Sequence, residues 1–310
     1  MNTWFAGYAR IHGSLPTDTD EYGPRAVAWQ REYESRTGQI QDGVVSDNDL
    51  AALGITAPKA PQVFEKPWLF TVHGTGQPDP SGPGLPADTA RACLGKYRWQ
   101  PIGNYPAAVF PMWPSVEQGV SELFFQIEDK LSRDNSTFAL AGYSQGAIVV
   151  GQVLKHEIMN PRGRLHMYLP RLRKVVLWGN PMRQQGIAAF DEWIHPIAKA
   201  GTHGILEDRL EGLDHAGFEV RDYAHEGDMY ASVRDSDADE YKVAVAKIVM
   251  TATDFYTGPS SVVSQLRELS ERPLIEGVAA ATAAIDALRF FTNTAHGYWI
   301  GPAITFLNQP

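Results

Sequence analysis

From Pro67 onward, short unbroken apolar runs alternate with longer stretches whose apolar residues recur every three or four positions. Trp68–Val72, Phe138–Ala141 and Lys174–Trp178 are too short for helices and, Thr71 and Lys174 aside, apolar at consecutive positions, the pattern of strands covered on both faces. Residues 98–104 and 218–223 read as two further strands, and Pro101 suggests that the first of these lies at a sheet edge. Val116, Val120, Leu123, Phe124, Ile127 and Leu131 share one helical face, and a second helix runs from just after Ser144 to about Ile158. Strands that alternate with helices predict an α/β fold with a mostly parallel sheet. After Asp228 the strand pattern stops, and residues 239–291 read as three consecutive helices.

The first 62 residues follow another pattern. A Gly/Pro/Asp-rich opening leads to a short amphipathic helix over Ala26–Tyr33, then Gly38, an Asp42-Gly43 turn and a second short helix through Leu50 and Leu53. Ala57-Pro58-Lys59-Ala60-Pro61 reads as a linker. The expected organisation is a small helical N-terminal module over 1–62 and a main domain over 63–310. The order Trp29-Gln30, Gly38, Asp42-Gly43 and a leucine-bearing helix is similar to small peptidoglycan-binding modules of cell-wall hydrolases. The alternative is a helical extension packed on the main domain.

Charge and composition narrow the function classes. A formal charge of -9 disfavours nucleic acid or an anionic membrane surface as the main partner. One cysteine, Cys93, excludes an intramolecular disulfide and a cysteine-built metal site. The start Met1-Asn2-Thr3-Trp4-Phe5 lacks the basic residues and apolar core of a signal peptide. The apolar stretch Leu274–Phe291 is interrupted by Glu276, Asp286 and Arg289, so no transmembrane segment is expected. These features predict a soluble protein made in a cytoplasm.

The chemistry centres on Gly142-Tyr143-Ser144-Gln145-Gly146, where an apolar run ends and a helical pattern begins at once. A serine at a tight strand-to-helix turn presents its hydroxyl beyond the sheet, and the glycines leave room for the cramped backbone. The next amide, that of Gln145, lies at a helix N-terminus and can donate to a developing oxyanion. A serine nucleophile needs a base and an orienting acid, which in α/β-hydrolases follow it in the order acid, then histidine. Asp228 lies just beyond the 218–223 strand, and of nine histidines only His296 follows it. A competing assignment pairs Asp191 or Asp208 with His203, His215 or His225, the last of which is otherwise a supporting or surface group. Asp222 is expected to alternate outward on its strand or to cap the sheet. In the early loop His73-Gly74-Thr75-Gly76, two glycines let an amide turn inward, so that of Thr75 is the second oxyanion candidate. His73 is expected to pack beside this loop. Some of Trp99, Trp113, Trp178, Trp193 and Trp299 could line an acyl groove, with the rest in the core.

Four stretches together resemble the lysin B family of mycobacteriophages: Lys66–Pro78 (KPWLFTVHGTGQP), Gly142–Gly146, Trp178–Arg183 (WGNPMR) and Gly227–Tyr230 (GDMY). The likeness runs from about residue 64 to 300. It implies a cutinase-like α/β-hydrolase with a helical insertion over 235–293, between acid and base. Carried over by position, the nucleophile falls on Ser144, the acid on Asp228 and the base on His296. The implied reaction is hydrolysis of the ester joining mycolic acids to arabinogalactan, which frees the outer layer of the mycobacterial envelope during phage lysis. The stretch Thr294–Trp299 matches least well, and the missing disulfide departs from cutinases. No metal or organic cofactor is implied. A general cutinase-like lipase or a mycolyltransferase-like acyltransferase would use the same acyl-enzyme.

Overall fold

The computed structural model describes residues 22–53, 66–77, 79–234 and 294–310, with a few isolated positions between 248 and 265. The three helices expected over 239–291, and the insertion 235–293 as a whole, lie outside the described residues apart from those positions. The chain forms two compact units, Met1–Val63 and Phe64–Pro310.

In the first unit, α1 spans Pro24–Thr37 and α2 spans Asp47–Ala52. Pro24 occupies the first turn, where its missing N–H costs nothing, and Gly38 closes the helix at φ 71°. These end signals carry α1 beyond the apolar core Ala26–Tyr33. Trp29 and Tyr33 are buried. Beside them the buried Glu34 accepts from the Gly43 amide at 2.9 Å, which anchors the turn. Ser46 and Asp49 cap α2 reciprocally: the Ser46 amide donates to Asp49 Oδ2 (2.8 Å), and the Asp49 amide donates to Ser46 Oγ (3.2 Å).

Among the described residues, the second unit has five parallel strands: β1 Trp68–Val72, β2 Arg98–Pro101, β3 Phe138–Tyr143, β4 Leu172–Trp178 and β5 Glu219–Tyr223. Their order is β2-β1-β3-β4-β5, with β2 at one edge as Pro101 suggested. Successive residues face opposite sides, so each strand serves two cores. Phe70, Val72, Leu140, Val175 and Leu177 meet α4 (Met112–Arg133) through Val116, Leu123 and Ile127. Leu69, Ala139, Ala141, Val176 and Trp178 face the other core, with Ala90 of α3 (Leu85–Ala92) and Phe306 and Leu307 of α6 (Gly301–Asn308). Helices α3 and α6 are eight residues each, too short to announce themselves by periodicity. The helix after β3, α5 (Gln145–Gln152), passes into a π-helical turn over Val153–Met159.

The strand order reverses between β1 and β3, because β1 connects outward to β2 while β3 continues to β4 and β5. In open α/β sheets a crevice opens at that point beyond the strand ends. The loops that border it are those after Val72 and after Tyr143. The α5 backbone lies so close to β1 that a Cβ on Gly146 would fall on the carbonyl oxygens of Val72 and His73. Among the described residues, no helix is long and apolar enough to cross a membrane.

Gly146→Ala must push two backbone carbonyls aside, and neither can rotate away. It should lower unfolding stability by about 3 kcal/mol or more, read by chemical denaturation.

Candidate active site

Ser144 stands between β3 and α5 at φ 54°, ψ −116°. A non-glycine residue in this region carries about 1–3 kcal/mol of strain, which persists only where the surroundings fix it. Here they do: the Ser144 amide donates to the Trp178 carbonyl at 3.0 Å, and the Ser144 carbonyl accepts from Ala147 at 2.9 Å.

Gln145 opens α5, so its amide has no intrahelical acceptor. Its buried side chain uses all four of its hydrogen-bonding positions. Oε1 accepts from Tyr105 Oη (2.7 Å) and Ser115 Oγ (2.9 Å), while Nε2 donates to the Ala108 carbonyl (2.9 Å) and to Thr75 Oγ1 (3.2 Å). The two residues read as oxyanion donors are therefore tied to each other. His73 is buried against Tyr105, with ring centroids 4.9 Å apart. Burial depresses its pKa from 6.5 to about 4, more than nearby Asp79 raises it, so the imidazole is neutral at neutral pH.

Asp228 and His296, from opposite sides of the 235–293 stretch, meet: His296 Nδ1 lies 2.9 Å from Asp228 Oδ2. Asp228 is wholly buried, and Oδ1 accepts from the Tyr230 amide at 2.9 Å. Oδ2 also accepts from the Tyr298 hydroxyl. Burial alone would raise this carboxyl's pKa. The His296 charge and the bonds from His296, Tyr298 and Tyr230 outweigh it and hold the pKa below 3.8. Tyr298 moves the other way, well above 10, through burial and the Asp228 charge, so its hydroxyl remains a donor.

Asp228 fixes the orientation of the imidazole: Nδ1 holds a proton toward Oδ2, which leaves Nε2 as the nitrogen that can take up and release the other. Nε2 is buried and has no hydrogen-bond partner among the described residues. The bond from Ser144 to Nε2 is thus not closed here; such links are often long in uncomplexed sites. The imidazole nevertheless lies against the serine turn. It stacks on Tyr143, the residue before Ser144, at 5.2 Å and 30°, and Tyr143 Oη donates to the His296 carbonyl at 3.0 Å. On its far side Tyr230 approaches to 4.4 Å. A Cβ at Gly179, which has φ 55°, would collide with the imidazole, so the glycine after β4 makes its room.

The competing pairings are not formed. Asp208 bonds Lys155 (2.7 Å), His156 (2.9 Å) and Gln152 (2.9 Å), remote from the serine turn. Asp191 faces Arg221 at 3.3 Å, and His215 pairs with its neighbour Asp214. His203 contacts the Gly204 carbonyl at 2.8 Å. His225 is buried and paired with Glu192, a carboxylate that no local pattern singled out. The outward placement expected for Asp222 is corrected: it is buried, accepting from Asn180 Nδ2 at 2.8 Å. Tyr298 was also missed; its place two residues after His296 was the available signal. Of the tryptophans, Trp178 is in the core, whereas Trp193 and Trp299 are 70% and 51% exposed.

The parallel sheet, its switch point and the strained serine turn define an α/β-hydrolase. No family model matches the chain. It is 66% identical over 253 residues to Endolysin B of Mycobacterium phage L5, and 65% identical to that of Mycobacterium phage D29. Both alignments cover 79% of this chain and all of the relative. The crystal structure of lysin B from Mycobacteriophage D29 superposes with a TM-score of 0.70 at 65% identity, over 79% of this chain and all of that one. The chain belongs to the lysin B family.

Burial raises the Asp222 carboxyl from 3.8 to about 7 against the pull of Arg183 and Asn180. An acid raised in the folded state binds its proton more tightly there than when unfolded. Its stabilisation is full below pH 3.8 and is lost as pH climbs to about 7. Asp222→Asn cannot ionise, so its stability relative to wild type should rise across that window by about 2–4 kcal/mol, read by denaturation at fixed pH steps.

Proposed function

We propose that the protein is a serine carboxylic-ester hydrolase of phage lysis, and that its bond is the ester between mycolic acids and arabinogalactan. The observation that supports this reading best is the 2.9 Å bond from His296 to a fully buried Asp228, beside a serine held at positive φ. An imidazole so oriented presents an unprotonated Nε2, which is what activation of a hydroxyl requires.

In this mechanism Ser144 Oγ attacks the ester carbonyl carbon as His296 Nε2 takes its proton. The carbonyl oxygen becomes an oxyanion, received by the amides of Gln145 and Thr75. Collapse breaks the bond to the sugar oxygen, which leaves with the proton from His296. Water then attacks the acyl-enzyme with His296 again as base, releasing the fatty acid and restoring Ser144. Asp228 stabilises the imidazolium in both halves without taking its proton. Membership of the lysin B family supports the mycolyl reading, and the exposed Trp193 and Trp299 suit contact with a long acyl chain. The unit Met1–Val63 is proposed as a cell-wall-binding module.

Ser144→Ala should lower ester turnover by about a thousandfold or more. The measurement is fatty-acid release from purified mycolyl-arabinogalactan, with a short nitrophenyl ester run alongside. Release by neither protein, with the short ester still cleaved by wild type, would remove the substrate assignment and leave the esterase. Acyl transfer to an added sugar acceptor in place of release would make the enzyme a transferase. For the N-terminal unit, equal retention of the full chain and of residues 64–310 on purified cell wall would remove the binding role.

A further inference from the structure

A second carboxylate–imidazole pair lies behind the first. Glu192 and His225 are both 1% exposed and are hydrogen bonded through Glu192 Oε2 and His225 Nε2. They come from two segments bridged in antiparallel fashion: the Ala198 amide donates to the Ala224 carbonyl (2.9 Å), and the Glu226 amide to that of Pro196 (2.6 Å). The pair therefore stands on a fixed platform.

Its remaining bonds all go to the segment that carries His296. His225 Nδ1 lies 2.8 Å from the Ala295 carbonyl, one residue before His296. Glu192 Oε1 accepts from the Trp299 amide, three residues after it, at 3.4 Å. The His225 ring also stacks on Tyr298 at 4.2 Å and 21°, and Tyr298 in turn donates to Asp228. The backbone is thus gripped on both sides of His296. A carbonyl can only accept, so Nδ1 must be the protonated nitrogen toward Ala295, which leaves Nε2 to bond Oε2 of Glu192.

A buried carboxylate–imidazole pair is a poor source of stability, because desolvation of both groups offsets their attraction and apolar residues would fill the same space. What such a pair supplies is direction. We infer that Glu192 and His225 are positioning residues, holding the 295–299 backbone so that the His296 imidazole meets Asp228 with Nε2 turned toward Ser144. This inference rests on the assignment of His296 as the base.

The test uses the full chain and two variants. His225→Phe keeps a ring to stack on Tyr298 but has neither nitrogen. Glu192→Gln keeps a donor for His225 Nε2 and an acceptor for the Trp299 amide. On a short nitrophenyl ester, His225→Phe should lower kcat about 10- to 100-fold with KM unchanged within about twofold, and Glu192→Gln should retain kcat within about threefold. The low-field proton resonance of the His296–Asp228 hydrogen bond should be weakened or lost in His225→Phe and kept in Glu192→Gln. Retention of both kcat and this resonance by His225→Phe would overturn the inference, as would an equal loss of kcat in the two variants. Should His225→Phe not fold, Glu192→Leu breaks the pair from the other side and is read by the same measurements and limits. Turnover surviving in His296→Ala is a different result: it would remove the base assignment on which the inference stands.

Discussion

The most demanding group in the molecule is the Asp228 carboxylate, ionised where no water reaches it. A buried charge of this kind persists only if nearly every lone pair is met by a donor. Four donors are present: His296 Nδ1, the Tyr298 hydroxyl and the amides of Tyr230 and Ala231. Two of them, His296 and Tyr298, follow Asp228 by 68 and 70 residues in the chain, so the placing of residues 294–300 answers to this one group. Tyr143, Gly179, Tyr230 and the Glu192–His225 pair then shape the space the returning segment occupies.

Much of the sheet could be read from the chain itself. Runs such as Leu69–Phe70 and Val175–Trp178 serve two cores at once, which leaves consecutive apolar positions that need no knowledge of the partner strand. The serine turn was legible through its two glycines: Gly142 is demanded by Gly146 and Val150 nearby in the chain, and Gly146 by the Val72 and His73 carbonyls at the end of β1. Chain order brought Asp228 and His296 to attention, and the structure places them in hydrogen-bond contact.

The rest was hidden by distance or by a rule that failed. Glu192 reaches His225 and Trp299 across 33 and 107 residues, and no spacing connects them. Asp222 broke the alternation rule because Asp222 and Tyr223 point to opposite faces of β5 and both are buried. On a strand end covered from both sides, polarity no longer tells inside from outside. The small helices α3 and α6 span only eight residues each, too few for a repeating stripe to be read along the chain.

The four hydrogen bonds of Gln145 have a consequence for how the enzyme would use its substrate. One residue places its amide at the serine turn and, through its side chain, ties down both the 104–108 loop and Thr75. Neither Thr75 nor the 104–108 loop can drift without breaking a hydrogen bond to Gln145. The surroundings of the serine turn are therefore set when the chain folds, and their entropy is lost then. An ester that reaches this turn, however small, meets a site already in order.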